Sequence, residues 1–483
     1  MKPQRLSLIA AAALLGACVL PQKEAPRTQA IDTQQLGLAG AAFSAAPEAW
    51  WQSFGDAQLD ALIAEALAHN PSLDEALARM RGAQAQSQAA AAGGKPRYAL
   101  DGSVQRQRLS ENYIYPPAAS GFNPHGGGTY WFADLGLNLN WDLDFWGRQA
   151  DLLRQARGEQ QAVVLDHEAA RLALAGAIAQ AYVDLHRAYG LIDIATQSLT
   201  QRQTQLQLSQ QRLQAGLDNA LQLQNAQAQL AQAQVQLQQA QTARELAVHR
   251  LAALSGHGAD AYAQLKRPQL KLDAALPLPE QLPIDLLAHR PDVLAARARV
   301  DAAGAGRDAA RAAFYPDVSL KIFAGYQSVG LDQLLQAASA GYGAGPGLHL
   351  PLFDSQRLRA DYRGATAQLD LVVAQYNQTV LDAVRDVADQ LSQVSSLEQQ
   401  LAQQQNRVQA AQRAQQLAQQ RYGAGLGSRL PVLDLQLQTL GAQRELLDSS
   451  CQLITSRVSL LLMLGGSFHS DTQQAAVSGT PRS

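Results

Sequence analysis

Hydrophobic and polar residues alternate with a period of two in four short segments of this chain. The clearest segment is 131–145, where every odd position is apolar and most even positions are polar or glycine. Such alternation gives a strand one apolar and one polar face, and it places Asp142 and Asp144 together on the polar face. Shorter versions occur at 98–104, 318–326 and 342–350. The pattern predicts four β-strands, near 96–106, 129–145, 316–328 and 340–353.

A second pattern, with a period of seven, runs through the rest of the chain. Its longest stripes are Leu185, Ile192, Leu199, Leu206 and Leu213 in one half, and Val373, Val380, Val387, Val394, Leu401 and Val408 in the other. Shorter stripes follow each, and Leu433, Leu440, Leu447, Ile454 and Leu461 form the last. A sustained heptad repeat predicts left-handed coiled-coil packing. Each long arm, 148–215 or 357–423, would be roughly 100 Å long.

The two halves of the chain repeat one another. Ala68-His69-Asn70-Pro71 precedes Ala288-His289-Arg290-Pro291 by 220 residues, and residues 212–221 match 421–430 at an offset of 209. Gly216 and Gly425 occupy equivalent positions where the heptad stripes stop, so they are the predicted turn glycines of two helical hairpins. The sequence therefore predicts a first structural repeat over 48–256, a linker over 257–279, a second repeat over 280–466 and a tail over 467–483.

The N-terminus has the features of an export signal. Lys2 and Arg5 precede the apolar stretch 6–17, which is too short to span a bilayer. Leu15-Gly16-Ala17-Cys18 resembles the bacterial lipobox, which implies cleavage before Cys18 and lipidation of that residue. The alternative is an ordinary signal with a chance cysteine. We expect a lipoprotein signal peptide over 1–17 and a lipid-anchored extended leader over 18–47.

Composition and charge exclude several classes of function. The net charge is −2, so no basic field indicates a nucleic-acid partner. Two cysteines exclude a disulfide scaffold and a cysteine-rich zinc site, and the nine histidines show no metal-ligand spacing. We therefore expect no enzymatic activity, no cofactor and no metal site.

The four predicted strands of one chain are too few to form a closed β-barrel. They could form a half-buried sheet in water, but the export signal and the aromatic residues at strand ends favour a membrane. Four strands cannot close a barrel, and open edges are excluded from lipid. Two copies give eight strands and three give twelve, and a lumen wide enough for a small molecule favours twelve.

At this point the chain resembles the TolC-type outer-membrane efflux factors, in their OprM/NodT-like lipoprotein branch, over about residues 48–466. The matching motifs are Trp50-Trp51-Gln52-Ser53-Phe54-Gly55-Asp56, Asn70-Pro71-Ser72-Leu73, Trp141-Asp142-Leu143-Asp144-Phe145-Trp146-Gly147-Arg148, Leu286-Leu287-Ala288-His289-Arg290-Pro291-Asp292-Val293, Ala312-Ala313-Phe314-Tyr315-Pro316 and Pro351-Leu352-Phe353-Asp354. The resemblance implies a mainly α fold with membrane β. The implied protomer is tandem-duplicated, with four transmembrane β-strands plus long coiled-coil helices. It would trimerise into a 12-stranded β-barrel continuous with a periplasmic α-barrel.

The resemblance also implies a closed aperture near the turns of the helical hairpins. Asp434 matches one acidic residue of the family's aperture ring, and Tyr422 matches its linking tyrosine. The family's second acid falls on Pro431 and its linking arginine on Gly427, although Arg429 is close by. The aperture candidates are therefore Asp434, Tyr422 and Arg429. The alternative is that Asp434 is an acid in the first turn of a helix, favoured by the helix dipole.

The function implied is that of an outer-membrane channel in a tripartite efflux pump: a homotrimer and passive exit duct for small molecules. The implied partners are a periplasmic adaptor protein, an inner-membrane pump, often of the resistance–nodulation–division class, and outer-membrane lipid. The implied location is the bacterial outer membrane, with the protein lipid-anchored and extending into the periplasm. The alternative is a pore-free periplasmic coiled-coil adaptor or tether lipoprotein.

Overall fold

The computed structural model describes residues 25–32, 36, 38, 46–108, 110, 128–258, 265–272, 276, 278–279, 281–283, 285–351 and 353–468. The expected signal peptide with Cys18, most of the leader and the end of the tail lie outside these residues. The chain divides into two compact units. The first comprises Met1–Gln29, Gly82–Gln160 and Ala298–Ala374, and the second comprises Ala30–Arg81, Gln161–Arg297 and Gln375–Ser483.

Each half of the chain has the same order of elements. The first half contains α1 (Ala57–His69), α2 (Pro71–Gly93), β1 (Arg97–Arg108), β2 (Thr129–Asp142), α3 (Arg148–Gln214) and α4 (Ala220–Leu254). The second half contains a 3₁₀ turn (Leu286–Ala288), α5 (Pro291–Ala312), β3 (Asp317–Val329), β4 (Ala340–His349), α6 (Ser355–Gly423) and α7 (Leu430–Met463). The predicted mainly α, tandem-duplicated fold with four strands is confirmed. Within the described residues, no helix is both long and apolar enough to cross a membrane.

The four strands form one antiparallel sheet in the order β1-β2-β3-β4. Leu137 of β2 pairs with Leu100 of β1 on one side and with Ala324 of β3 on the other. Because side chains alternate across the sheet, this register puts every large apolar residue of the pattern on one face. Nine of these residues are exposed: Tyr98, Leu100, Val104, Trp131, Leu137, Trp141, Ile322, Tyr342 and Leu348.

The opposite face of the sheet is polar. The amide of Asn138 donates a hydrogen bond to the Asp101 carboxylate at 2.7 Å, and the Ser103 hydroxyl donates to Asp134. These bonds join β1 to β2 through side chains on the same face. The sheet therefore has one apolar and one hydrogen-bonded polar surface, as the alternation predicts.

The second strand ends three residues before the alternation does. Asp144 has left the strand, with a φ of 45°. Its two carboxylate oxygens accept hydrogen bonds from the backbone N–H groups of Gln149 and Ala150, each at 2.9 Å. Asp144 therefore caps the start of α3, and the expectation that it shares the polar strand face with Asp142 is wrong. The four orphan N–H groups at a helix start favour this use of a carboxylate.

The heptad stripes face inward on the long helices. Val380 and Val387 of α6 are fully buried, and Leu433 and Leu461 of α7 are buried to a similar degree. On α4 the stripe consists of small residues, and each is buried: Ala226, Ala233, Ala240 and Ala247. Small side chains allow the backbones of neighbouring helices to approach closely, which the bulkier stripes of α6 do not.

Candidate functional site

Asp434 lies beside the turn of the second helical hairpin, where the aperture candidate was expected. It is exposed and is the fifth residue of α7, whose first turn contains no acidic residue. The explanation of Asp434 as a first-turn acid is therefore wrong. Its Oδ1 accepts a hydrogen bond from Gln205 Nε2 of α3 at 3.0 Å. This bond connects the second helical hairpin to the first.

A second polar residue extends this connection to α4. The Arg202 guanidinium donates to Gln205 Oε1 at 2.8 Å and also to the side-chain oxygen of Gln229 on α4. Burial lowers the pKa of Arg202, and the negative charge of Asp434 opposes that shift. A polar chain of Arg202, Gln205 and Asp434 thus joins three helices near the hairpin turns.

Farther from the hairpin turns, α3 and α7 run antiparallel to each other, and polar side-chain pairs fix their register. Arg187 Nε donates to Asp448 Oδ1 at 2.7 Å, and Gln180 Nε2 donates to Ser459 Oγ at 3.0 Å. As the residue number falls on α3 it rises on α7, which is the order that antiparallel helices require. Asp434 therefore lies at the end of the α3–α7 contact that is nearest the hairpin turns.

Two glycines of α3 provide space for leucines of α7 along the same contact. A Cβ on Gly176 would lie 2.1 Å from Leu462 Cδ1, and one on Gly190 would lie 2.5 Å from Leu447 Cδ2. These distances are shorter than any real contact between non-bonded carbon atoms, so only glycine fits without a shift of the leucine. The two glycines are two heptads apart, and they act as sockets for the leucine side chains.

The structure does not join the other two aperture candidates to Asp434. Tyr422 is 44% exposed. Arg429 is exposed, immediately precedes α7 and makes no side-chain cap. Within the described part of one protomer, neither side chain bonds to Asp434.

The two turn glycines adopt the same conformation in both repeats. Gly216 has a φ of 67° and Gly425 a φ of 73°, in the left-handed region that glycine tolerates. The N–H of Leu217 donates to the Arg212 carbonyl and that of Leu426 to the Arg421 carbonyl, each at 2.9 Å. Both long helices thus end in the same glycine-centred cap, which satisfies carbonyl groups at the helix terminus.

The turns differ in their charged side chains. In the first turn Arg212 Nε pairs with Asp218 Oδ2 at 3.2 Å. At the offset of 209, the residue equivalent to Asp218 is Gly427, so the second turn lacks this ion pair.

Sequence reasoning missed Arg202 and Gln205. The only available signal was that Arg202 is the one charged residue between Asp193 and Arg212. Gln205 lies in a glutamine-rich stretch, where no local pattern distinguishes it from its neighbours.

The described residues contain no group of three or more His, Cys, Asp or Glu side chains that could hold a metal. Cys451 is buried on α7, and burial raises the pKa of its thiol to about 12. Cys451 therefore acts as a small packing residue of α7. Cys18 lies outside the described residues.

Comparisons with known proteins agree with this architecture. The family model described as outer membrane efflux protein matches residues 62–257 and 282–466. The multidrug resistance outer membrane protein MdtP of Escherichia coli (strain K12) is 32% identical over 468 residues, which cover 96% of each chain. The antibiotic efflux pump outer membrane protein ArpC of Pseudomonas putida is 30% identical, covering 98% of each.

A solved structure shares the fold. The crystal structure of the outer membrane protein VceC from Vibrio cholerae superposes with a TM-score of 0.79 at 34% identity, covering 87% of this chain and 99% of that one. Its similarity spans both repeats because the matched part includes nearly the whole of the solved chain. The chain belongs to the outer membrane efflux protein family, and it is an outer-membrane efflux channel protein rather than an adaptor.

Proposed function

We propose that three copies of this chain close into an outer-membrane duct through which small molecules leave the cell. The observation that carries this proposal is the exposed apolar face of the sheet. Tyr342 is 92% exposed and Leu100 is 72% exposed. A face of this kind is costly in water and stable against lipid.

The edges of the sheet argue for several copies. The outer strands β1 and β4 have no partner strand on their far side within the described residues. Unpaired backbone groups are excluded from the hydrocarbon core, so each β1 must pair with the β4 of a neighbour. Three sectors give twelve strands, and the lumen of that barrel admits a small molecule.

The duct itself performs no chemistry and supplies no energy. Export through it therefore requires a pump in the inner membrane, for which the resistance–nodulation–division class is the proposed type, and a periplasmic adaptor that joins the two. The relatives MdtP and ArpC are described as multidrug resistance and antibiotic efflux proteins. We propose drug-like small molecules as the cargo of this chain as well.

A pair of neighbouring substitutions tests the duct. Leu137→Arg puts a charge on the apolar face, which costs about 2–4 kcal/mol at the centre of a bilayer. We expect this variant to lose heat-stable trimers on native gels and conductance in planar bilayers. Asn138→Arg, one position along on the polar face, is the matched control and should still assemble. Normal channels from Leu137→Arg would refute the membrane-facing assignment.

We propose that Asp434 forms the acidic ring that narrows the periplasmic entrance of the duct. Three copies of an exposed carboxylate would attract cations and restrict the pore. The Gln205–Asp434 bond supports the closed state, because it ties α7 to the first hairpin. Tyr422 and Arg429 are the proposed links to a neighbouring protomer, since both are exposed near the same turn.

The gate has its own test in planar bilayers. Asp434→Ala should raise single-channel conductance and weaken block by multivalent cations. Asp382→Ala, which removes a partly exposed acid of α6, should leave both properties unchanged. Conductance and block that are the same in Asp434→Ala as in the parent protein would rule out the gate.

We propose that Cys18 is acylated and anchors the mature protein in the outer membrane. The lipobox-like Leu15-Gly16-Ala17-Cys18 supports this, and several acyl chains anchor far more firmly than one. Mass spectrometry of the mature N-terminus should find a lipid-modified Cys18, and Cys18→Ser should abolish the modification. An unmodified cysteine would exclude the anchor while leaving the duct proposal intact.

A further inference from the structure

The apolar face of the sheet has charged side chains at one corner only. Among the described strand residues, the two charged side chains on this face are Arg106 and Arg108, at the end of β1. Both are exposed and both are positive. Arg106 pairs with Trp131 of β2, and Arg108 pairs with Thr129. The face is otherwise uncharged, so this corner differs chemically from the rest of it.

The two arginines lie at the hairpin end of the sheet. At this end β1 leads to β2 through 109–128, and β3 leads to β4 through 330–339. At the opposite end, 143–147 connect β2 to the long helix α3. In the proposed duct the long helices extend into the periplasm. The hairpin end, with its two arginines, therefore lies at the outer surface of the membrane.

Two tryptophans on the same face give the height of its apolar band. Trp131 is level with Arg106, and Trp141 follows ten residues later on β2. Ten residues extend about 34 Å, and a strand tilt of about 40° reduces this to a height of about 26 Å. The apolar band of an outer-membrane barrel is about 25 Å tall and has aromatic residues at both borders. Arg106 therefore lies at the outer border of the band, and Arg108 lies beyond it at the level of the lipid head groups.

The side chain of Arg106 is positioned by the tryptophan opposite it. Its guanidinium carbon lies 5.7 Å from the centroid of the Trp131 ring. Within the described residues, no carboxylate pairs with Arg106, and the nearest acids of the sheet, Asp101 and Asp134, lie on the opposite face. A guanidinium held over an aromatic ring can still donate hydrogen bonds from its edge. Arg106 is therefore ordered by Trp131 and keeps donors for an anionic partner.

This arrangement occurs in one repeat only. At the offset of 220 residues, the equivalents of Arg106 and Arg108 on β3 are Tyr326 and Ser328. The arginine pair is therefore not a consequence of the duplicated strands. Because β1 is an edge strand, the pair of each chain would lie beside a seam between neighbouring chains of the ring.

We propose that Arg106, Arg108 and Trp131 bind a lipid head group that carries two phosphates, the phosphorylated glycolipid of the outer leaflet. The inference rests on the proposed duct, whose sheet faces lipid. Guanidinium groups bind phosphate through two parallel hydrogen bonds. The two arginines are two residues apart, or about 7 Å along the strand, so each can hold its own phosphate. A head group with one phosphate would engage only one of them.

The site is tested by native mass spectrometry of the trimer in an uncharged detergent. The added lipid is the diphosphorylated glucosamine-disaccharide lipid known as lipid A, and we expect one bound copy per protomer. The double variant Arg106→Gln, Arg108→Gln should bind it at least tenfold more weakly. Arg106→Lys keeps the charge but loses the two-bond geometry, so it should be intermediate. Equal binding by the parent protein and the double variant would overturn the site.

A control variant lies on the same strand. Arg97 is exposed on the polar face, at the opposite end of β1 from the proposed site. Arg97→Gln also removes one positive charge from the protein, but it should leave lipid binding unchanged. A loss as large as that of the double variant would show a general effect of net charge and would contradict a local site.

Two other lipids test the identity of the head group. Lipid A from which both phosphates have been removed should bind the parent protein at least tenfold more weakly, and so should phosphatidylglycerol, which has one phosphate. Undiminished binding of the dephosphorylated lipid would show that the contact is apolar. Equally tight binding of phosphatidylglycerol would exclude the glycolipid as the preferred occupant. Either result would overturn the proposal.

Conductance separates this inference from the proposed duct. The double variant changes residues at the border of the membrane, so it should still form heat-stable trimers and conduct normally in planar bilayers. Absence of trimers and channels in the parent protein would refute the duct itself. A parent protein that conducts normally but binds lipid A no better than the double variant would refute the lipid site alone.

Discussion

Tyr182 and Asp56 form a fully satisfied polar contact in the core of the second unit. The Tyr182 hydroxyl donates to Asp56 Oδ2 at 2.8 Å, and the backbone N–H of Gln269 donates to the same oxygen at 2.6 Å. Tyr182 is fully buried and Asp56 is 8% exposed. One carboxylate thus ties the start of α1 to α3 and to the segment 265–272, which lies between the two repeats.

Removing this hydroxyl should destabilise the protein measurably. Tyr182→Phe leaves a buried carboxylate with one donor fewer, which costs about 1–3 kcal/mol. Burial and the Asp56 carboxylate also raise the pKa of Tyr182. Because the folded pKa exceeds the unfolded value, the parent protein should lose stability as pH rises above about 10, and Tyr182→Phe should lose less. Thermal unfolding followed by circular dichroism measures both effects. Tyr342→Phe, at an exposed tyrosine, should match the parent protein at neutral pH.

The buried thiol of Cys451 makes a second prediction at the residue scale. Since its pKa is raised to about 12, almost no thiolate exists at neutral pH. In a Cys18→Ser background, maleimide should label Cys451 at least a hundredfold more slowly in the folded protein than in denaturant. Rapid labelling of the folded protein would show that α7 opens readily at this position.

At the scale of the element, the glycine sockets of α3 determine how closely α7 approaches. Gly190→Val should force Leu447 out of its place and cost about 1–3 kcal/mol, the usual effect of overpacking. The double variant Gly190→Val with Leu447→Ala should recover part of this loss, because the smaller side chain leaves room. Gly82→Ala on α2 is the control, since a Cβ there meets nothing within 4 Å and helix propensity should rise. Thermal midpoints of these proteins, together with that of the Leu447→Ala single variant, measure the coupling.

The elements themselves were predictable from the chain because their signals are local. Period two located the four strands, and period seven located the long helices. The end of β2 was misjudged because Leu143 and Phe145 continue the alternation, while the turn is decided by Asp144 capping α3 and by Gly147, with a φ of 74°. A hydrophobic pattern does not predict which carboxylate will accept hydrogen bonds from the free backbone N–H groups at the start of a helix.

The contacts that position the candidate site were not predictable in the same way. Asp434 could be named by its resemblance to a family acid, but Gln205 is 229 residues away and belongs to a glutamine-rich helix. The leader was expected to be an extended tether, and the bonds that Asp370 and Asn377 accept from its backbone were missed for a related reason. It binds through backbone N–H groups, which every residue except proline possesses, so its sequence shows no motif.

At the scale of the whole molecule, the four strands of one chain cannot close into a β-barrel. The order β1-β2-β3-β4 leaves β1 and β4 at opposite edges, about three strand spacings or 14 Å apart. A disulfide requires Cα atoms within about 7 Å, so β1 and β4 of one chain cannot be bridged. A bond between these strands must therefore join two chains.

This geometry gives a direct test of ring closure. We expect Ser103→Cys on β1, combined in turn with cysteine at each of four polar-face positions of β4, to oxidise to covalent trimers in at least one register. Those positions are Gly341, Gly343, Gly345 and Gly347. In a Cys451→Ala background, denaturing gels should show dimers and trimers and nothing larger, because a ring of three has no free edge left. Each single-cysteine variant should give no trimer, since it lacks the second partner. A ladder extending beyond three chains, or no cross-link in any register, would contradict a closed twelve-stranded barrel.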